Sequence, residues 1–259
     1  MSPIFLCAAL SIALFFAMLA CLEIGRRIGH WMIRTDPEGS RVGLGAVEGA
    51  VFALLGLLIA FTFSTAEGRF EDRRHLVVQE ANAVGTAYLR IDLVSPDLQS
   101  KLRALFRSYV DARLDSCRKP PGCEQADIAR CSQLQSQIWE MSVAACRAAP
   151  SPAPSMLLLP ALNEMFDIAT TRSAARIIHP PGIIFAMLAI VALGSALLGG
   201  YGMAAATKRS WLHIFAFVAI ISGTIYVICD IEFPRRGIIR VDAIDQVLVD
   251  VRSRMKQEP

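Results

Sequence analysis

Four long apolar runs constrain this chain more than any other feature. Pro3 to Leu22 and Pro180 to Thr207 carry no charged residue. Val42 to Ala66 carries only Glu48, and Trp211 to Cys229 only His213. A bilayer core of roughly 30 Å is crossed by about 20 helical residues, and each run reaches that length. Composition agrees: 54% of the 259 residues are hydrophobic and 19% are charged, which is too oily for a soluble domain of this size. Inside hydrocarbon a backbone must satisfy its own polar groups, so each run is expected as a helix. The first run is expected as a retained anchor and not a cleaved signal peptide. No positive charge precedes it, and its basic residues follow it.

The expected organisation is all-α, with four transmembrane helices and a helical extramembrane lobe between the second and third. Residues 1–66 hold helices one and two, 67–179 the lobe, 180–233 helices three and four, and 234–259 an amphipathic tail. The short loops are placed at 23–41, with Gly25, Gly29, Pro37 and Gly39, and at Thr207-Lys208-Arg209-Ser210. Within the lobe, Ser95-Pro96-Asp97 reads as a helix start, with a capping serine and proline at the first helical position. Lys119-Pro120-Pro121-Gly122 and Pro150-Ser151-Pro152 read as breaks. Phe70, Val77, Ala81, Val84, Tyr88 and Ile91 form one apolar stripe at helical spacing, and Leu98, Leu102, Leu105, Phe106, Tyr109 and Val110 another. Residues 124–147 and 156–178 fit helices less strongly. No proline interrupts 43–92, so one helix of roughly 75 Å is expected there. Two helices hinged at Gly68 are the alternative. Val241, Ile244, Val247, Leu248, Val251 and Met255 mark the tail as an amphipathic helix that packs on the lobe or on a neighbouring subunit.

By parity the lobe and both termini share one side of the membrane. The first span is uncharged at its leading end and trails into Gly25-Arg26-Arg27. The positive-inside rule then puts the short loops inside and the lobe outside, in a bacterial inner membrane. Cys117, Cys123, Cys131 and Cys146 cluster in the lobe, and an oxidising compartment would pair them. Four cysteines allow three connectivities, which the sequence leaves open. Cys7, Cys21 and Cys229 lie in the spans.

The net charge of +3 and the balance of 14 Lys/Arg against 13 Asp/Glu from Glu67 to His179 exclude a nucleic-acid surface. No metal spacing, phosphate loop or nucleophile elbow is present, so no catalytic residue, metal or cofactor is expected, and the chain is not read as an enzyme. The spans say more. Gly45, Gly49, Ala53 and Gly56 form a strip that lets helix backbones approach closely, within one subunit or between two. Glu48 is an acid inside an oily run. It either faces a bundle interior or reaches the headgroups. The neck of the second span, Ile59 to Thr65, also has two readings. In one, Phe61 and Phe63 anchor in lipid while Thr62, Ser64 and Thr65 bond back to their own helix. In the other, one such neck per subunit rings an axis. Ile59, Phe61, Thr62, Phe63, Ser64 and Thr65 then line a path, with hydroxyls and nearby arginines attracting anions.

The stretch "AFTFSTAEGRFEDRRHLVVQEANAVGTAYLRIDLV" and the later "DIEFPRRGIIRV" resemble the bestrophin-like domain family of mostly bacterial membrane proteins. The resemblance covers most of the chain and is weakest over 115–155. It implies a distant relation to bestrophins, pentameric anion channels with four spans per subunit and a largely cytosolic soluble part. Two features carry this: the neck residues Ile59, Phe61 and Phe63, and an acidic turn after the last span with Asp230, Glu232, Pro234 and Gly237. Bestrophins show Pro-Phe-x-Gly at such a turn. This chain has Phe-Pro-Arg-Arg-Gly, so no calcium is expected there. The implied function is a homo-oligomeric channel in lipid that passes small anions. The alternative is a non-conducting scaffold or sensor whose lobe binds a partner.

Overall fold

A computed structural model describes residues 3–36, 44–118, 125–206, 209–233 and 242–255. The regular elements among them are all helical. They are α1 (Pro3–Thr35), α2 (Leu44–Leu89), α3 (Pro96–Arg118), α4 (Gln125–Ala148), α5 (Ala153–Ala175), α6 (Gly182–Gly202), α7 (Trp211–Glu232) and α8 (Asp242–Arg254), with 3-10 turns at Arg90–Leu93 and Met203–Ala205. Four of them, α1, α2, α6 and α7, are long and apolar enough to cross a membrane. The chain forms two compact units, one of Met1–Phe70 and His179–Arg240, the other of Glu71–Ile178 and Val241–Pro259.

The first unit is held by α1 against α6 and α7. Its core gathers Met18, Leu22, Leu55, Leu188 and Val218. The backbones of α1 and α6 meet at glycines. A Cβ on Gly25 would fall 1.9 Å from the Leu197 carbonyl oxygen, and one on Gly200 would fall 2.1 Å from that of Leu22. Only hydrogen fits there, which is how small residues bring lipid-embedded helices together. The sequence placed a loop at 23–41, with Gly25 and Gly29 as loop glycines. Instead α1 runs on to Thr35. The end of the apolar run is not the end of the helix, because Glu23 pairs with Arg26 and Arg27 one turn on and the helix continues as a charged one.

Helix α2 continues through Gly68 without a break, as one element of 46 residues. In the second unit its stripe residues Ala81, Val84 and Ile91 join Leu102, Phe106 and Tyr109 of α3 in a core that also takes in Leu248 and Met255 of the tail. The proline start of α3 is where the sequence put it. Ser95 closes the first turn by accepting from the Leu98 and Gln99 amides at 3.0 and 3.3 Å.

The disulfide expectation is not met among the described residues. Cys131 and Cys146 are buried thiols. Both sit on α4, about 22 Å apart at 1.5 Å per residue, far beyond disulfide reach. Cys123 and the side chain of Cys117, which the other two connectivities require, lie outside the described residues.

The second unit also buries charge. Glu80 of α2 is wholly buried. It accepts from Arg113 Nε of α3 and from Arg172 Nη1 of α5, each at 2.5 Å. Arg172 also donates to Asp245 of α8 at 2.8 Å, and Arg252 of α8 grips Asp111 through two bonds of 2.7 and 2.9 Å. The tail helix is thereby tied to the lobe twice. Glu80 lies well beyond the apolar run that ends at Ala66. Burial alone would raise its pKa, but the Arg113 and Arg172 charges outweigh that and hold it below the usual carboxylate range. A lowered carboxylate pKa gives stability that is present above the unfolded value and is lost as pH falls through the folded one. Glu80→Gln is therefore expected to cost roughly 3–5 kcal/mol at neutral pH, since it removes the buried charge that two guanidiniums share. Thermal unfolding of the detergent-solubilised protein measures it. The gap between variant and parent should narrow as the pH is taken below about 4.

Candidate functional site

Helix α2 is the span least covered by its own subunit. Only 6% of its most apolar window is buried in the chain, against 39% for α7. One stripe turns inward: Leu55 and Ala66 are buried, and Ile59 and Leu58 pack beside the core. The rest looks out. Gly45, Gly49, Ala53 and Gly56 are all exposed, and among the described residues a Cβ on Gly45, Gly49 or Gly56 would meet nothing within 4 Å. Of the two ways such a strip can be used, packing inside the subunit is not the one seen.

The structure sorts the six neck residues by direction. Ile59 packs against Ala66, Ile228 and Ile231. Thr62 is half-buried and donates its hydroxyl to the Leu58 carbonyl at 2.7 Å. Phe61 is 64% exposed and Phe63 41%, but they point to different flanks, since residues two apart on a helix lie about 200° apart. Phe61, Ser64 and Thr65 share one outward face. Thr65 spends its proton on the Phe61 carbonyl at 2.6 Å. Back-bonding of this kind leaves only oxygen lone pairs pointing outward.

The arginines beneath the neck are engaged. Arg69 Nε donates to Glu232 at 2.8 Å, and its Nη2 reaches the same oxygen. Arg73 donates to the carbonyls of Ala175 and Ile178 at 3.2 and 3.0 Å. Arg74 pairs with Glu71 at 2.7 Å. Glu67, Glu71 and Asp72 of the same helix are exposed.

Asp230 and Glu232, the acids expected at a turn, are buried at the end of α7. Glu232 is the partner of Arg69, and His179 approaches it at 3.8 Å while stacking on Phe233 at 4.7 Å. With Ala66, Ile228 and Ile231 packed alongside, this pair fixes the neck of α2 to the end of α7. Pro234 and Gly237 lie outside the described residues. Glu48 turns toward α6: its Oε1 is buried, finds no hydrogen-bond partner among the described residues, and lies 2.3 Å from where a Cβ on Gly202 would sit. Among the described residues no group of three or more His, Cys, Asp or Glu is arranged to hold a metal.

Sequence reasoning missed the partner of Glu232 and missed Glu80 altogether. Glu80 sits three residues after Val77 and four before Val84. A charged residue at that spacing falls on the buried stripe, and that was the available signal.

The Bestrophin-like domain family model matches residues 16–244. No curated protein matches the sequence. A crystal structure of a bacterial bestrophin homologue from Klebsiella pneumoniae, a tyrosine-to-alanine mutant, has the same fold. The match has a TM-score of 0.60 at 13% identity and covers 92% of this chain and 99% of that one.

The Arg69–Glu232 pair makes a measurable claim. Arg69→Gln and Glu232→Gln should each lower stability by about 3 kcal/mol or more, because each strands a charge with little access to solvent. The double variant should lose less than their sum, with a coupling of roughly 1–3 kcal/mol in a thermal-unfolding cycle.

Proposed function

The chain belongs to the Bestrophin-like domain family, and on that premise we propose that it is a homo-oligomeric channel of a bacterial cell membrane whose path is lined by α2. The observation that carries this reading is the uncovered face of α2. A span that buries so little against its own chain needs other surroundings, and two kinds are at hand. The small-residue strip suits close packing on a neighbouring subunit. The face of Phe61, Ser64 and Thr65 suits a narrow aqueous path closed by an aromatic ring.

In this reading α1, α2, α6 and α7 cross the bilayer, the helices from α3 to α5 with α8 form the extramembrane lobe, and lipid surrounds the assembly. The lobe was expected outside the cell. The thiols at Cys131 and Cys146 withdraw part of the support for that side, and the arginines of the short loops then carry it.

The sequence pointed to small anions. The charge pattern favours small cations instead. The neck hydroxyls of Thr62 and Thr65 have their protons committed, Arg69 is turned to Glu232, and the exposed charge that follows the neck within the same unit is Glu67. Carboxylates ringed around an axis concentrate cations.

Two measurements test this. A Cβ at Gly49 or Gly56 meets no described atom within 4 Å, so Gly49→Leu and Gly56→Leu should leave the subunit folded and shift the purified complex toward smaller masses. In liposomes the parent protein should pass monovalent ions. Phe61→Ala should raise the flux several-fold and Phe63→Ala should change it little. A reversal potential under a salt gradient reads the sign of the permeant ion. Zero flux in parent and variants alike would leave the non-conducting scaffold as the better reading.

A further inference from the structure

A second charged site lies in the first unit, away from the neck. Three guanidiniums converge on one carboxylate. Glu23 accepts from Arg26 at 3.2 Å, from Arg27 at 3.1 Å and from Arg209, which arrives from the segment before α7. Among the described residues, one negative charge here faces three positive ones. Arg27 offers Nε alone to Glu23, and its side chain is 77% exposed. Arg209 offers Nη2 to Glu23, while its guanidinium lies 4.2 Å above the Trp211 ring. Nitrogens of both therefore stand ready for a further acceptor.

Glu23, Arg26 and Arg209 border a cavity of about 410 Å³, and Arg27 sits beside Glu23 outside its lining. Arg26, Arg209, Ser210 and the carboxylate of Glu23 supply its polar rim, and Leu19, Ile214 and Phe215 part of its apolar wall. Trp211 stacks on Phe215 at 5.7 Å between ring centroids. Tryptophan beside arginine at the end of a span is the arrangement found at the headgroup level of a bilayer. The site is therefore amphipathic in the same sense as a lipid: cationic at the rim, oily behind it.

We propose that this cavity binds a phosphate oxyanion through Arg26 and Arg209, with the exposed Arg27 adding charge beside Glu23, presented by the headgroup of an anionic phospholipid or as free phosphate. Guanidinium groups suit the charge and the paired oxygens of phosphate. The apolar wall gives an acyl chain a place that free phosphate would leave wet, which favours the lipid source. The site does not depend on whether α2 conducts.

The test uses the full-length protein in detergent and native mass spectrometry. Phosphatidylglycerol should be retained in preference to phosphatidylcholine. Arg27→Gln and Arg209→Gln should each reduce that preference by roughly fivefold, the worth of one basic side chain near an anionic headgroup. Arg209→Lys, which keeps the charge, should retain most of it, and Arg130→Gln on the exposed face of α4 should not alter it. Millimolar inorganic phosphate that displaces the lipid, with the same dependence on Arg27 and Arg209, assigns the site to the phosphate group itself. Lipid that resists displacement assigns it to the whole phospholipid. Equal retention of the two lipids with no phosphate binding, or a preference that survives in the double glutamine variant, overturns the proposal.

Discussion

A backbone in hydrocarbon has no water to bond, so a span must satisfy every amide within itself. The rest of this structure depends on that requirement. It makes the four apolar runs helices before any side chain is considered. It also removes hydrophobic burial as a force between them, because a lipid tail is as apolar as a leucine. Helices in such a solvent are held by fit and by polar contacts. Both are visible in the first unit: α1 and α6 meet where Gly25 and Gly200 leave room for nothing but hydrogen, and α2 is tied to α7 by Arg69 and Glu232.

The second unit follows the ordinary rules of water. Its core is a set of apolar stripes, and its charges are buried only where they are matched. Glu80 meets two guanidiniums, and Arg172 in turn meets Asp245, so two acids and two bases are joined in one network. Pairs of this kind add little to net stability compared with an apolar core, but they are costly to break. They act here as a specification of which helices meet.

Much of this was legible in the sequence, and what was not has physical reasons. The spans announce themselves by length and apolarity. The continuity of α2 follows from the lack of proline, the start of α3 from Ser95-Pro96, and the helical character of α8 from its apolar stripe. The end of α1 was misjudged because hydropathy reports where lipid ends, not where a helix ends. Gly25 was read as a loop glycine and Gly45, Gly49 and Gly56 as a packing strip, since sequence shows that a residue is small but not what it faces. Gly25 and Gly200 abut backbone, while a Cβ on Gly45, Gly49 or Gly56 would touch nothing among the described residues. The neck was read as one group of six residues. Helical geometry divides it, and only Phe61, Ser64 and Thr65 share an outward face. Glu80 was passed over because its two partners come from α3 and α5, and no local pattern joins them to it.

The contacts of Glu23 bear on how the chain is made. Its neighbours Arg26 and Arg27 lie on the same turn of α1, whereas Arg209 and the α6 seam are encoded far downstream. A ribosome delivers α1 to the bilayer long before either arrives. An acid that carries its own counter-ions can wait in the membrane at little cost, so the leading helix can be inserted and parked while the remaining polypeptide is still being translated.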